Sequence, residues 1–320
     1  MKLSDLGEKN IIRELSKLID IGDDAACIPI DGRFLVASTD MMYRKTDVLN
    51  EMSYRQIGKK IVTINFSDIA SMGAEPFGFL LSYGSQDIEV ENFNEIISGV
   101  SEQCKKYNSK FLGGDTNETD ELTLAGTALG LTNKPILRSG AKAGDVVAVT
   151  DFLGTCALGV DILLKRLMDF DEIDEQILKE TLETEPRVPE GKFLKDYANA
   201  MTDISDSLAM SLYDIAEMSN AGIKLNLDKI PILDIAIKTS EQLDLNPVDY
   251  ALYGGGDYEL LFTVSGENWK KIRDLESNFK FKFKFKFTRI GEVVEGSGVF
   301  DENNEKIRKL GYEHFKQSKY

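Results

Sequence analysis

Short apolar runs of strand length alternate with segments of helical period along this 320-residue chain. That alternation points to the mixed α/β class, because neither a helix bundle nor a β-sandwich interleaves the two periods. Phe34–Ala37, Phe77–Tyr83, Leu122–Leu131 and Val146–Thr150 read as strands, with later ones at Gly222–Leu227 and Glu259–Val264. Ser53 and Gln56 form a capping-box pair, after which Ile57, Ile61 and Ile64 recur at helical spacing until Gly73 stops the helix. A second helix places Phe93, Ile97, Val100, Cys104 and Tyr107 on one face. Further helices are predicted over 154–168, 175–184 and 206–219, with Pro186 and Pro189 breaking the pattern between the last two. Phe281–Phe287 alternates Phe with Lys and predicts a half-buried strand. Its lysines either guard an edge against aggregation or offer a cationic stripe. The turn-rich connector Arg138–Asp145 divides a first domain, 1–137, from a second, 138–320.

Charge narrows the partners. A formal net charge of −16 repels nucleic acid and anionic membranes, so neither is expected as a partner. No stretch approaches the ~20 apolar residues of a bilayer span, and the start MKLSDLGEKN lacks the apolar core of a secretory signal, so a cytoplasmic location is expected. Cys27, Cys104 and Cys156 are widely spaced and read as free thiols. The single histidine, His314, stands near the C-terminus, which removes His-dyad and His-cluster chemistry from consideration. Oxygen ligands remain.

The placement of carboxylates is the informative signal. Asp40 follows the run FLVAST, Asp115 follows KFLGG and Asp203 follows ANAMT, so each is expected at the end of an apolar strand. Strand ends are where open α/β sheets bind ligands, although a lone Asp there commonly caps a helix or turn. Asp68 continues the stripe Ile57, Ile61, Ile64 and so occupies a core position. It calls for compensation there, by a buried ion pair or by a cation such as magnesium. Asp23–Asp24 beside Gly22, and the pair Asp203 and Asp206, add further acids. Carboxylates without imidazole or thiolate suit Mg²⁺, and Mg²⁺ would let an acidic protein bind ATP phosphates. Gly113–Thr116 offers backbone donors for phosphate, while Arg138 and Lys142 offer cationic contacts.

Taken in order, IGDDAA (21–26), STDM (38–41), NFSDIASMGAEP (65–76), GGDT (113–116), RSGAKAGD (138–145), DISDSL (203–208) and GGGDYELLFTV (254–264) resemble the thiamine-monophosphate kinase family. That family lies within the superfamily of aminoimidazole-ribonucleotide synthetase and selenophosphate synthetase. The resemblance implies a two-domain synthetase-like fold: an N-terminal sheet pairing across a homodimer, and a C-terminal α/β domain closing the active-site cleft. It implies ATP-dependent phosphorylation of thiamine monophosphate to thiamine diphosphate, with several magnesium ions. Carried over by position, Asp24, Ser38, Thr39, Asp40, Asp68, Asp115, Asp203 and Asp206 would hold metal. Asp24, Gly114, Asp115, Arg138 and Ser205 would meet the nucleotide, with Asp68, Asp206 and Arg138 nearest the chemistry. Asp47, Asp257 and Tyr312 would face the acceptor.

The chain departs from the family pattern on the acceptor side. Asp47 stands where members often carry a substrate-contacting His, Gly256 replaces the Glu of GGEDYEL, and Ser207 replaces the Gly of DISDGL. Two alternatives follow, a related phosphotransferase with another small acceptor and a noncatalytic nucleotide- or metal-binding regulator.

Overall fold

The computed structural model describes residues 2–19, 21–277 and 285–315. Two sheets organise it. The first has the order β1-β2-β5-β3-β4, with β1 Ala26–Ile30, β2 Arg33–Tyr43, β3 Glu75–Ser85, β4 Lys110–Glu118 and β5 Thr123–Thr132. The second has the order β11-β8-β10-β6-β9-β7, with β6 Val146–Thr150, β7 Ala198–Ile204, β8 Gly222–Leu225, β9 Glu259–Val264, β10 Phe287–Val294 and β11 Gly298–Phe300. Both sheets are mainly antiparallel, the parallel pairs being β3 with β4 and β8 with β11.

The helix Tyr54–Ser71 is the axis of the molecule. Its cap forms as the sequence predicts, with Gln56 Oε1 accepting from the Ser53 N–H at 2.9 Å. Twelve of its residues are buried, including Ile61, Val62, Phe66 and Ile69 with no exposure, because it is enclosed by β2, β5, the helix Val90–Lys106, the helix Val188–Leu194 and β7. A helix covered on all sides has little use for the usual polar face. Asn65, Ser67 and Asp68 therefore lie between the two sheets rather than in water. On its other face the first sheet exposes Met41 (63%), Phe77 (40%), Leu80 (38%) and Leu112 (50%), a larger apolar display than isolated surface residues require.

Some strands run longer than their apolar cores suggest. Asp40 pairs with Gly126 inside β2, and Asp115 pairs with Ser82 inside β4, so neither closes its strand. Backbone pairing continues through a polar side chain whenever the neighbouring strand continues too. Asp203 does stand beside the end of β7. Of the Phe/Lys run, 281–284 lie outside the described residues; β10 begins at Phe287, and Phe285 packs on Phe193 at 5.6 Å between ring centroids. Among the described residues no helix is long and apolar enough to cross a membrane.

Candidate functional site

Asp24, Asp68 and Asp203 converge from three separate elements. Asp24 comes from the loop before β1, Asp68 from the last turns of the central helix and Asp203 from β7, and one carboxylate oxygen of each lies within 4.8 Å of the others. Asp203 is buried, Asp24 and Asp68 half-buried. Burial pushes the Asp203 carboxyl up to about 8, and the charge of Asp24 adds to the effect, while a hydrogen bond from Ser67 and the charge of Arg138 oppose it. Asp68 is raised well above the carboxylate range, first by burial and then by Asp40, Asp203 and Asp24, against one hydroxyl donor, Ser38. Asp40, pushed up to about 6 by burial and next by Asp206, belongs to the same electrostatic group. These acids share one region without a matching set of cations, and their all-oxygen donors fit a hard divalent ion such as magnesium.

Period two explains which residues of β2 join them. Val36, Ser38, Asp40 and Met42 face the helix, so Thr39 points to the other side, where its hydroxyl donates to the Gly126 carbonyl at 2.8 Å. The Thr39 side chain is therefore not among the cluster's ligands. Asn65, fully buried, accepts from the Asp40 N–H at 3.1 Å and fixes the strand against the helix.

Gly114 and Asp115 are also elsewhere. They sit on the edge strand β4, separated from β2 by β5 and β3, roughly 14 Å at ordinary strand spacing. Within one chain Asp115 is not among the acids that converge with Asp24, Asp68 and Asp203. Gly114 is required by packing, since a Cβ there would stand 1.7 Å from the Leu81 carbonyl oxygen.

Arg138 backs Asp24. Its Nε donates to Asp24 Oδ1 at 3.0 Å, Nη1 lies 3.6 Å from Asp214, and its backbone N–H donates to Asp23 at 3.0 Å. Asp23, half-buried and beside Asp24, is pushed up to about 6, first by that burial and then by the Asp24 charge. Ser205 and Asp206 are half-buried on the loop after β7, where their carbonyls accept from the N–H groups of Gly256 (2.7 Å) and Tyr312 (3.2 Å). Tyr312 is thereby held at the site, and its phenol is raised by burial and then by Asp47, Glu8 and Asp206. Asp47 Oδ2 accepts from the Tyr43 N–H at 2.8 Å and the Thr46 hydroxyl at 2.7 Å, a local turn role.

Asp257 is engaged by backbone donors. Its carboxylate accepts from the N–H groups of Gly154 (2.8 Å) and Cys156 (3.4 Å) at the start of the helix Thr155–Lys165, a position that stabilises an anion.

Sequence reasoning passed over the residues that support the acids. Ser67 donates to Asp203 at 2.7 Å, Ser71 lies 2.9 Å from Asp24 Oδ2, and Thr202 donates to Asp24 Oδ1 at 2.8 Å. Asp214, Glu8 and Tyr258 were also missed. Ser67 and Ser71, polar positions flanking Asp68 on an apolar helix, were the available signal.

Residues 22–132 match the family described as AIR synthase related protein, N-terminal domain. The chain is 35% identical over 325 residues to a thiamine-monophosphate kinase of Pyrococcus horikoshii, covering 99% of each chain. It is 37% identical to a thiamine-monophosphate kinase of Methanocaldococcus jannaschii, covering 92% of each. Among solved structures, AaThiL complexed with AMPPCP and TMP superposes with a TM-score of 0.90 at 29% identity, over 98% of this chain and 99% of that one.

Proposed function

The chain belongs to the thiamine-monophosphate kinase family, and from that premise we propose that it transfers the terminal phosphoryl group of ATP directly to the phosphate of thiamine monophosphate, giving thiamine diphosphate and ADP. The observation that carries the reading to the residues is the convergence of Asp24, Asp68 and Asp203 within 4.8 Å of one another. Several magnesium ions on Asp24, Asp40, Asp68, Asp115, Asp203 and Asp206 would neutralise phosphate charge and align donor and acceptor oxygens. Ser38, Ser67, Ser71 and Thr202 orient these carboxylates, and Arg138 holds Asp24 in place. The acceptor phosphate is itself nucleophilic near neutral pH (second pKa ~6), so no side chain has to remove a proton from it.

The proposal divides the chain at 137/138, with the cleft between the two parts, and places it in the cytoplasm. It also makes the protein a homodimer, supported by the apolar face of the first sheet at Met41, Phe77, Leu80 and Leu112. Transfer is tested by incubating the protein with ATP, Mg²⁺ and thiamine monophosphate and identifying the product. A chiral terminal phosphoryl group is expected to arrive inverted, with no ADP–ATP label exchange unless the acceptor is present. Absence of thiamine diphosphate removes the assigned acceptor, and retained configuration removes the direct path.

A further inference from the structure

Tyr258 adopts φ +53°, a left-handed backbone that aromatic residues rarely accept, and it does so beside the acid cluster. Its conformation is imposed by a close contact between 254–258 and 204–206. The Tyr258 N–H donates to the Ile204 carbonyl at 3.0 Å and the Gly256 N–H to that of Ser205 at 2.7 Å. A Cβ on Gly255 would stand 2.5 Å from the Ser205 oxygen, so the two backbones approach as closely as they can. Successive side chains then diverge. Asp257 turns to the helix at Gly154, whereas Tyr258 packs against the core around the central helix, where the charges of Asp40, Asp203 and Asp206 bear on its phenol.

A phosphoryl group entering this site meets carboxylates on most sides, and the nearby cation Arg138 is engaged by Asp24 and Asp214. A neutral hydroxyl is a donor that can stand among carboxylates and face a phosphate oxygen as well. We propose that the Tyr258 hydroxyl is a catalytic hydrogen-bond donor to an oxygen of the terminal phosphoryl group that ATP presents at the acid cluster. This rests on the phosphotransferase reading above and adds a residue to it. Cys156, the other reactive type near the same loop, is pushed up to about 12 by burial and stays a protonated thiol.

The test is Tyr258→Phe, which keeps the ring and the backbone and removes only the donor. Calorimetric titration of the full chain is expected to show Mg²⁺-ATP bound ~10-fold more weakly and Mg²⁺-ADP bound as in the wild type, with turnover down ~10- to 100-fold and the melting temperature unchanged. Wild-type binding and turnover in the variant overturn the assignment. Equal weakening of Mg²⁺-ATP and Mg²⁺-ADP also overturns it, since a ring that only shapes the site does not distinguish them. If the wild-type protein transfers nothing to thiamine monophosphate, the transfer reading fails by itself. The ratio of Mg²⁺-ATP to Mg²⁺-ADP affinity in the variant still decides whether Tyr258 is the donor.

Discussion

Glu259 and Asp203 face each other's strands near one end of the β7–β9 pair and are equally hidden, at 3% and 4% exposure, yet the chain treats them in opposite ways. Glu259 accepts from Arg187 Nε at 2.7 Å and pairs with Arg187 Nη2 as well, and Thr150 donates to it besides. Burial pushes its carboxyl up, but its closest neighbours pull it back. Asp203 has the Ser67 hydroxyl and only the charge of an Arg138 that is paired with Asp24 and Asp214, against burial and the charge of Asp24. Asp68 is in the same position, with three acids against one Ser38 hydroxyl. Buried carboxylates that hold a fold together come with their own cation, because an unpaired buried charge costs several kcal/mol. A group of carboxylates supported by hydroxyls is arranged for a cation that arrives from solution.

The sharpest way to break this contrast is to neutralise one acid of each kind. Asp68→Asn is expected to lower turnover by ~10²-fold or more while the melting temperature holds or rises, since it removes repulsion with Asp24, Asp40 and Asp203. Glu259→Gln is expected to cost ~3–5 kcal/mol of stability by leaving Arg187 with only Asp151, at 3.3 Å, as a counter-charge. Denaturant melts and steady-state assays on both variants check it. A destabilised Asp68→Asn would show that this carboxylate has a structural partner.

The second effect is smaller and depends on pH. Asp203 titrates at about 8 in the folded chain against 3.8 for the ordinary group. Between those values the folded chain holds the proton more tightly than the unfolded chain, so metal-free stability falls as pH rises from about 4 towards 8. Asp40, raised to about 6, contributes the lower part of that fall. Glu259 has the same direction through burial but is paired with Arg187, so the magnesium-sensitive part of the curve reports the cluster alone. Saturating Mg²⁺ is therefore expected to raise the melting temperature more at pH 8 than at pH 5.5. A gain independent of pH would place the ion elsewhere.

The sequence announces one half of this contrast better than the other. Asp68 was legible because it interrupts an apolar stripe, Asp203 because it follows the run ANAMT and Asp24 because it stands with Asp23 beside Gly22; the segments that resemble a family then joined them in one metal-binding set. Thr39 was assigned with its neighbours although alternation along Val36–Met42 turns its side chain the other way. Asp40 and Asp115 were read as strand ends because an apolar run stops where a ladder does not. The capping box and the β6 limits were local and came out as expected, whereas the hydroxyls of Ser67, Ser71 and Thr202 acquire a purpose only when the helix is laid against β7 and the Asp24 loop. The partner that Asp257 has in the fold, the helix start at Gly154, was hidden for a similar reason: it lies a hundred residues away.

The smallest expected effect separates those hydroxyls. Thr150 and Ser67 each donate one hydrogen bond to a buried carboxylate, and Thr150 also accepts the Leu260 N–H at 2.8 Å. Thr150→Val leaves that N–H and one oxygen of Glu259 unanswered inside the protein, so it should cost ~1–3 kcal/mol of stability and leave magnesium affinity alone. Ser67→Ala removes a donor from a carboxylate that can take up a proton when no cation is bound, so its metal-free stability should change little. With magnesium present Asp203 must be ionised and correctly turned, and losing the hydroxyl that turns it is expected to weaken magnesium binding ~10-fold. Titrating both variants with Mg²⁺ and melting them in chelator checks the pair. If Ser67→Ala loses stability like Thr150→Val and binds magnesium normally, then Asp203 belongs with Glu259 among the carboxylates that hold the fold.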